Sequence, residues 1–355
     1  MMLVLTVVVA AAIMGMSYLS IASVKLAIST NMVRAAQATY LAESGVQHAM
    51  WMLRTESPAL LGSTSANPLG PFQLGPDGGQ YVTYAQSTGT PLEYTVTARG
   101  TAYGITRTSQ AVVRIYSQYN DKVMALSPIH LWRLGETAGD TAKDTAPSGS
   151  KDGRYKNTPL LGQPGAIFGE TNKAVHFDGM NDYIDLDKWD LSGNKMTILC
   201  WFKVDAFNID NLRLVSKANG IQADDHYWML GTVRNGADEV LRMYLRTGLS
   251  TAALNATTGK LAAGEWTMAT ATYDGIWMKL YKNSQLVGTA LKFGNIAQNN
   301  TVPAWIGGNP DGASSRPFFG TIDAVAMFSR ALTASEIDSL YQARQASVAL
   351  VKWNK

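Results

Sequence analysis

The sequence has little of what a disulfide-rich, zinc-binding or disordered protein needs. Its 355 residues include a single cysteine, Cys200, which excludes an intramolecular disulfide framework and a zinc site built from several cysteines. The four histidines are widely scattered and show no metal-ligand spacing. Charged residues make up 16% of the chain and apolar residues 46%, which excludes a charge-rich disordered protein. We therefore expect stability to come from packed apolar cores.

Concentrated positive charge is also missing. Lys and Arg number 30 against 27 Asp and Glu, the net charge is +3, and no basic cluster occurs along the chain. A nucleic-acid-binding domain usually carries a basic patch or stripe. We expect no nucleic-acid partner.

The sequence lacks a string of closely spaced carboxylates on one strand. Two-carboxylate glycosidases need their acid and nucleophile about 5 Å apart, flanking one bond. The adjacent pair Asp238-Glu239 would point to opposite faces of a strand. We therefore nominate no catalytic residue and predict that the protein is not an enzyme, with a membrane-tethered polysaccharide hydrolase as the weakest alternative.

Residues 1–24 contain no charged side chain and no proline. A helix of this length can cross about 30 Å of hydrocarbon. Burying roughly fifteen large apolar side chains at about 1.5 kcal/mol each is worth on the order of 20 kcal/mol, so the segment belongs in lipid or in a bundle of its own kind. A cleaved signal peptide would begin with basic residues and have a shorter apolar core. A plain transmembrane anchor remains an alternative.

The helical pattern continues beyond this segment. Residues 25–54 contain no proline and one glycine, Gly45. A single helix over residues 1–54 would be about 80 Å long, and half of it would protrude from the membrane. Its second half carries an apolar or small stripe at helical spacing, which consists of Ile28, Met32, Ala35, Ala42, Val46, Ala49 and Leu53.

A helix that is lipid-soluble in its first half and amphipathic in its second resembles the stalk of type IV pilins and pseudopilins. The alanine-rich stretch that leads into Ala42-Glu43-Ser44-Gly45 is similar to the corresponding segment of minor pilins and pseudopilins. The resemblance implies a helix held in the inner membrane and then drawn into a filament by self-association through residues 1–54. Leu5 and Thr6 stand where the family usually has a glutamate, which favours a minor subunit.

A small sheet is predicted after the helix. The proline-rich stretch 55–79, which ends in Asp77-Gly78-Gly79, predicts a loop. Three alternating segments, 80–86, 92–99 and 108–116, predict an antiparallel meander with one apolar face for the helix to cover. We assign residues 55–120 to this sheet and, by resemblance, to a pilin-like α+β module.

From about residue 126 the chain has short β-like segments between Gly, Asn and Asp turns, which predicts an all-β sandwich. Its motifs resemble, in family order, the laminin-G-like, concanavalin A-like jelly-roll domains. We therefore predict such a jelly roll over residues 126–344 and a C-terminal tail over 345–355. The motifs lie at 130–136, 144, 152–153, 175–184 (with Phe177-Asp178-Gly179), 196–204, 214–217, 265–266, 271–275, 280–283, 306–308, 319–325 and 330–337.

The jelly-roll resemblance implies a calcium site at the edge of the sandwich. Calcium binds several carboxylate and carbonyl oxygens, which Asp/Asn/Gly loops supply. The alternative is that the aspartates cap turns by accepting hydrogen bonds from nearby backbone amides. The candidate ligands are Asp144, Asp178, Asn181, Asp182 and Asp323.

The same resemblance implies recognition of a glycan or another cell-surface ligand by aromatic side chains. Trp132 and Trp266 fit core positions of the family, and Trp201 lies in an apolar strand. Trp189, Trp228 and Trp277 are less constrained. Cys200, between Leu199 and Trp201, is predicted to be a buried apolar side chain.

These expectations combine into one hypothesis with one alternative. The chain would be a subunit of a type IV pilus-like or pseudopilus filament that displays a lectin-like domain. It would stay in the bacterial inner membrane before assembly and lie at the cell surface in an extracellular pilus afterwards. Alternatively, it is a single-pass membrane protein with a carbohydrate-binding surface domain that does not polymerise.

Overall fold

The computed structural model describes residues 2–55, 58–74, 79–147, 151–311 and 316–354. The helices are α1 Met2–Arg54, α2 Pro58–Leu61, α3 Tyr119–Ala125 and α4 Ala334–Gln342. The strands are β1 Leu69–Leu74, β2 Gly79–Ser87, β3 Glu93–Ala102, β4 Ile105–Tyr116, β5 His130–Trp132, β6 Thr141–Ala142, β7 Gly153–Lys156, β8 Leu160–Pro164, β9 Lys173–Asp178, β10 Tyr183–Lys188, β11 Met196–Val204, β12 Arg213–Ala218, β13 His226–Asn235, β14 Asp238–Thr247, β15 Ser250–Asn255, β16 Thr267–Tyr273, β17 Trp277–Lys282, β18 Gln285–Leu291, β19 Pro303–Ile306, β20 Phe319–Phe328 and β21 Ser347–Asn354.

The chain divides into two compact units. The first unit runs to Tyr116 and takes up the chain again at Ala346, and the second holds residues 117–345. In sequence, the second unit is therefore an insertion between β4 and β21.

The predicted long helix is confirmed, since α1 continues without a break to Arg54. It is long and apolar enough to cross a membrane, and its length and composition also fit a signal sequence. The stripe from Ala42 to Leu53 is buried against the sheet of the same unit, whereas Ile28 and Met32 remain 55% and 68% exposed. The stripe is therefore covered within the unit only in its second half.

The sheet of the first unit is antiparallel, with strand order β1-β2-β3-β4-β21. One prediction was wrong here. Residues 55–79 are not all loop, because α2 and β1 lie within them. Within the described residues β2 is the one strand that pairs with β1, and such an edge position tolerates Pro71. The predicted Asp77-Gly78 turn lies outside the described residues.

The predicted C-terminal tail over residues 345–355 was also wrong. Residues 347–354 form β21, which pairs antiparallel with the free edge of β4. The segment Val348-Ala349-Leu350-Val351 is rich in strand-forming residues, and pairing satisfies backbone groups that β4 would otherwise leave exposed. The predicted boundaries at residues 120 and 126 also differ, because the second unit begins at Ser117 and α3 belongs to it.

The second unit is a sandwich of two eight-stranded antiparallel sheets. Sheet I has the order β15-β14-β13-β12-β19-β10-β7-β6. Sheet II has the order β18-β17-β16-β11-β20-β9-β8, with β5 paired to β20. The two inner faces share one core, to which Trp228 and Leu230 of sheet I and Ile198 and Phe202 of sheet II contribute. An all-β sandwich consistent with a jelly roll is therefore confirmed.

Close contact between α1 and the sheet depends on glycine. A side chain at Gly45 would place its Cβ 2.7 Å from both Ala98 Cβ and Tyr81 Cδ2. A Cβ at Gly100 of β3 would collide with the carbonyl oxygen of Ala38 and the amide of Ala42. Because these last atoms belong to the helix backbone, they cannot move aside as a flexible side chain can.

We expect Gly100→Ala to separate α1 from the sheet. Overpacking of this kind costs typically about 1–3 kcal/mol. Thermal unfolding of the full chain in detergent should show a lower Tm for the variant. Thr101→Ala on the same strand, where the side chain is only partly buried, serves as the control. Equal Tm values for Gly100→Ala and the wild type would contradict this packing.

Candidate functional site

The outer faces of the two sheets of the sandwich differ. The outer face of sheet II is apolar and is covered by α3 and α4, since Leu199, Trp201 and Phe328 pack with Val123 of α3 and Leu340 of α4. Among the described residues of this unit, no helix covers the outer face of sheet I in the same way. The uncovered face carries polar and aromatic side chains, and we treat it as the candidate functional site.

Side-chain alternation determines which residues occupy this face. On β14, Leu241, Met243 and Leu245 belong to the shared core. The residues between them, among them Arg242 and Tyr244, must therefore point outward. Tyr244 begins a row of cross-strand neighbours on this face. It pairs with Met229 of β13, Met229 pairs with Ser216 of β12, and Ser216 pairs with Trp305 of β19.

The row ends in an aromatic pair. Tyr183 stacks on Trp305 with ring centroids 3.7 Å apart and an interplanar angle of 21°. Tyr183 is partly exposed, and Trp305 is 9% exposed. Flat aromatic rings at a sheet surface give a ligand an apolar platform with polar groups at its edge.

Beside this row lies a buried polar cluster of Arg213, His226 and Asn309. Arg213 is 2% exposed, and the other two side chains have no exposed surface. Arg213 donates from its Nη1 to the carbonyl oxygen of Asn211 at 3.0 Å and from its Nε to Asn309 Oδ1 at 3.4 Å. Asn309 Nδ2 in turn donates to the carbonyl oxygen of Gly220 at 2.9 Å.

His226 is neutral at pH 7. Burial, and then the charge of Arg213, lower the pKa of His226 to about 4. Its Nδ1 lies 2.7 Å from the carbonyl oxygen of Gln222, and its Nε2 lies 3.1 Å from Asn309 Oδ1. A neutral ring carries a single N–H, so it donates to only one of these oxygens. Burial lowers the pKa of Arg213 to about 10, so this guanidinium keeps its charge at pH 7.

Two further arginines frame the aromatic rings of the face. The Arg242 Nε donates to Asn255 Oδ1 at 2.7 Å, and its Cζ lies 5.3 Å from the centre of the Tyr244 ring. The Arg246 Cζ lies 5.3 Å from the centre of the Tyr227 ring. Tyr244 also lies 5.8 Å from the Cζ of Arg213, so its ring is flanked by two cations.

The strand that carries Arg213 is fixed at its other end by Lys217. The Nζ of this fully buried lysine donates to the carbonyl oxygens of Trp189, Asn299 and Val302 at 2.6, 2.9 and 2.7 Å. It also lies 3.2 Å from Asp190 Oδ1. A buried cation with this many acceptors ties the 299–302 loop to sheet I, which gives the face a rigid support.

Sequence analysis did not find this face. Two of the less constrained tryptophans, Trp189 and Trp228, are core residues at 8% and 1% exposure, and the third, Trp277, is 39% exposed on sheet II. The available signal was the alternation Leu241-Arg242-Met243-Tyr244-Leu245-Arg246, in which every second residue is cationic or aromatic. The partners of Arg213 come from distant loops and have no local signal.

The structure brings three of the five predicted calcium ligands together. Asp178, Asn181 and Asp182 lie in and beside the turn between β9 and β10. Asp178 Oδ1 accepts from the amides of Met180 and Asn181, at 2.8 and 3.3 Å, as a turn cap does. Asp182 Oδ2 accepts from the Asp178 amide at 3.1 Å, whereas the buried Oδ1 of Asp182 has no partner among the described residues. Burial, and then the charge of Asp178, raise the pKa of Asp182.

The other two predicted ligands lie elsewhere and are already bonded. Both oxygens of Asp144 accept hydrogen bonds, from His130 Nδ1 at 2.7 Å and from backbone amides. Burial alone would raise the pKa of Asp144, but these bonds lower it. Asp323 on β20 accepts from the Ala166 amide and Asn172 Nδ2, and burial raises its pKa to about 7.

A single ion cannot therefore contact all five residues. Among the described residues, no three His, Cys, Asp or Glu side chains converge as a metal-binding group. The calcium prediction is therefore restricted to the turn between β9 and β10. The oxygens that could bind an ion there are Asp182 Oδ1 and Asp178 Oδ2.

Comparison with known proteins supports the class of the second unit. Residues 178–338 match the family described as the concanavalin A-like lectin/glucanases superfamily. These residues form a laminin-G-like, lectin-like jelly-roll domain. No curated protein matches the sequence of the chain.

Matches among solved structures include domain 4 of the extracellular arabinanase AbnA from Geobacillus stearothermophilus in complex with arabinotriose. That match has 19% identity and a TM-score of 0.38, and it covers 64% of this chain and 96% of that one. The CBM40 of the Ruminococcus gnavus IT-sialidase, bound to α2,3-sialyllactose, also has 19% identity, with a TM-score of 0.40 and coverages of 47% and 96%. Trypanosoma rangeli sialidase matches at 12% identity and a TM-score of 0.44. The match covers 77% of this chain and 45% of the sialidase.

If the turn at 178–182 binds calcium, EGTA will lower the Tm of the sandwich, because an ion that binds only the folded state stabilises it. An ion at about 100 times its Kd contributes about 2.7 kcal/mol, which corresponds to about 5–10 °C for a unit of this size. Asp178→Asn should remove most of this EGTA effect, whereas Asp187→Asn, an exposed carboxylate of β10, should not. A Tm that EGTA leaves unchanged would rule the calcium site out.

Proposed function

We propose that this chain is a structural subunit of a type IV pilus-like or pseudopilus filament. It polymerises through residues 1–54 and displays the lectin-like domain. The proposal is supported by the combination of one unbroken helix, an apolar first half whose large side chains from Val9 onward are exposed, and a second half packed on a small antiparallel sheet. Before assembly the subunit lies in the bacterial inner membrane, and afterwards it belongs to an extracellular filament.

Apolar side chains beyond the first charge are the observation that carries this proposal. If residues 2–24 span the bilayer, Lys25 marks its edge, because about 23 residues at 1.5 Å each exceed 30 Å of hydrocarbon. Leu26, Ile28, Met32 and Val33 then lie outside the lipid, and they are 70%, 55%, 68% and 56% exposed. A plain anchor leaves these side chains in water, whereas neighbouring copies of the helix would cover them.

The alternative is a single-pass membrane protein that presents the same lectin-like domain and never polymerises. It needs only residues 2–24 as an anchor. It gives no role to the exposed apolar side chains between Lys25 and Arg34. The two functions therefore differ in what a charge placed in this region should do.

A charge at position 28 separates the two functions. Ile28→Asp should abolish filaments sheared from the native host and viewed by electron microscopy, while the variant chain stays in the membrane fraction. Burying an unpaired carboxylate between neighbouring helices is costly, so the filament should not form. Membrane insertion should persist, because the anchor consists of residues 2–24 and does not include position 28. Thr101→Asp on β3 serves as the control that should still assemble. A wild-type chain found only as a membrane-bound monomer would refute polymerisation.

We further propose that the domain binds glycans on the outer face of sheet I and catalyses no reaction. The Tyr183–Trp305 stack and Tyr244 offer ring faces for a sugar, and the surrounding arginine and asparagine side chains offer hydrogen-bond partners for its hydroxyl groups. Such a surface serves adhesion of the filament to glycans or to other cell-surface ligands.

The face is tested by comparing two partly exposed aromatic side chains. Tyr183→Ser should weaken binding of the full chain, in detergent, to a neutral and acidic glycan array by about tenfold, the loss expected for one aromatic contact. Trp277→Ser on sheet II should leave binding unchanged. The opposite result would move the binding site to sheet II, and an array without any bound glycan would refute glycan recognition.

A further inference from the structure

Arginines of the second unit fall into two groups according to their ion pairs. Arg133, Arg154, Arg234 and Arg330 each contact a carboxylate. Among the described residues, Arg213, Arg242, Arg246, Arg316 and Arg344 have no such partner. Arg344 follows α4, and its Cζ lies 4.6 Å from the centre of the Tyr341 ring. The residues at 148–150 and 312–315, which complete this unit, include no Asp or Glu. We call Arg213, Arg242, Arg246 and Arg316 the arginine cluster.

The arginine cluster lies at the outer face of sheet I. Arg242 and Arg246 alternate along β14 on the side opposite the core, and Arg213 faces Gly231 of β13, the residue that also pairs with Arg242. The charges of Arg242 and Arg316 oppose the charge of Arg213. Arg316 donates to the carbonyl oxygen of Asp210 at 3.2 Å. Four of the five unpaired arginines are thus gathered at one place.

Acidic side chains at the margin of the face form no ion pair with the cluster, although the charge of Asp311 favours that of Arg213. Asp210 accepts from Asn211 Nδ2, Asp224 from the Thr251 amide and Asp311 from Asn309 Nδ2. Asp210 and Asp224 instead offer their backbone carbonyl oxygens to Arg316 and Arg246. On the far strands, Asp185 accepts from the Asp187 amide, and Arg154 is paired with Asp140.

Each guanidinium is therefore held by neutral acceptors only. Carbonyl, amide and phenol oxygens orient Arg213 and Arg242 without cancelling their charge. Gathering like charges at a largely buried surface is unfavourable unless an anion binds there. A guanidinium presents parallel N–H groups that match the two oxygens of a carboxylate.

We propose that the outer face of sheet I recognises an acidic glycan, in which a carboxylate on a sugar ring binds the partly exposed arginines of the cluster, while the buried Arg213 contributes only its charge. This proposal rests on the proposed glycan-binding function and specifies its ligand class. The aromatic rings of Tyr244, Tyr183 and Trp305 lie on the same face and bind the body of the sugar. A uronic or sialic acid combines a carboxylate with a sugar ring, whereas a simple anion has no ring to stack on the aromatic side chains.

The test compares each acidic sugar with its own methyl ester. Oligogalacturonate, a glucuronate oligosaccharide and a sialylated oligosaccharide are titrated into the full chain in detergent, each beside its methyl ester, which keeps the sugar and removes the charge. We expect at least one of the acids to bind about tenfold or more tightly than its ester, with an affinity that falls as salt is raised. Arg242→Gln should abolish this preference, and Arg246→Gln should reduce it.

Arg234→Gln is the matched control, because Arg234 lies on β13 but is paired with Glu239. It should keep the full preference for the acid. Arg242 and Arg246 are partly exposed, so their variants are expected to fold, and Tm values verify this. Equal binding of acids and esters would overturn carboxylate recognition and leave the proposed glycan binding intact. The same conclusion would follow if only neutral or sulfated sugars bound. Absence of binding to every glycan would overturn both proposals.

Discussion

The arrangement of the second unit depends on the shared core between its two sheets. Every long strand must give alternate side chains to that core, which fixes the identity of the residues on the two outer faces. Leu241, Met243 and Leu245 point inward, so Arg242 and Tyr244 are held outward on a rigid surface. The apolar outer face of sheet II is covered by α3 and α4, and sheet I is left to interact with solvent or a ligand.

The first unit follows a different constraint, which is the close approach of a helix to a sheet. Small residues on both elements make this approach feasible, with Ala38 and Ala42 on α1 facing Gly100 on β3. The same helix carries large apolar side chains in its first half that this unit does not cover. Within one helix, small buried residues therefore serve folding, and large exposed residues are left for lipid or for other chains.

Periodic features of the fold could be predicted from the sequence, whereas long-range pairings could not. The unbroken helix follows from the absence of proline before Pro58, and the sandwich follows from ordered motifs such as Phe177-Asp178-Gly179. The return of residues 347–354 to β4 has no local signal, because it depends on a free strand edge more than two hundred residues earlier in the chain. The pairing of Asn309 with Arg213 and His226 also depends on distant loops.

The candidate site illustrates why composition alone was misleading. Aromatic content suggested where a sugar could stack, yet Trp228 and Trp189 are needed in the core, where large apolar surfaces stabilise the sandwich most. Whether an arginine has an ion-pair partner says more about a binding surface than aromatic content does. Arg330, for example, forms an ion pair with Glu336 within the fold. An arginine that is oriented by neutral oxygens and lies beside further cations has no such partner. An anionic ligand would therefore stabilise its charge. By this argument the proposed recognition surface combines the charge of Arg213 and Arg242 with the Tyr183–Trp305 pair, whereas Trp189 and Trp228 belong to the core.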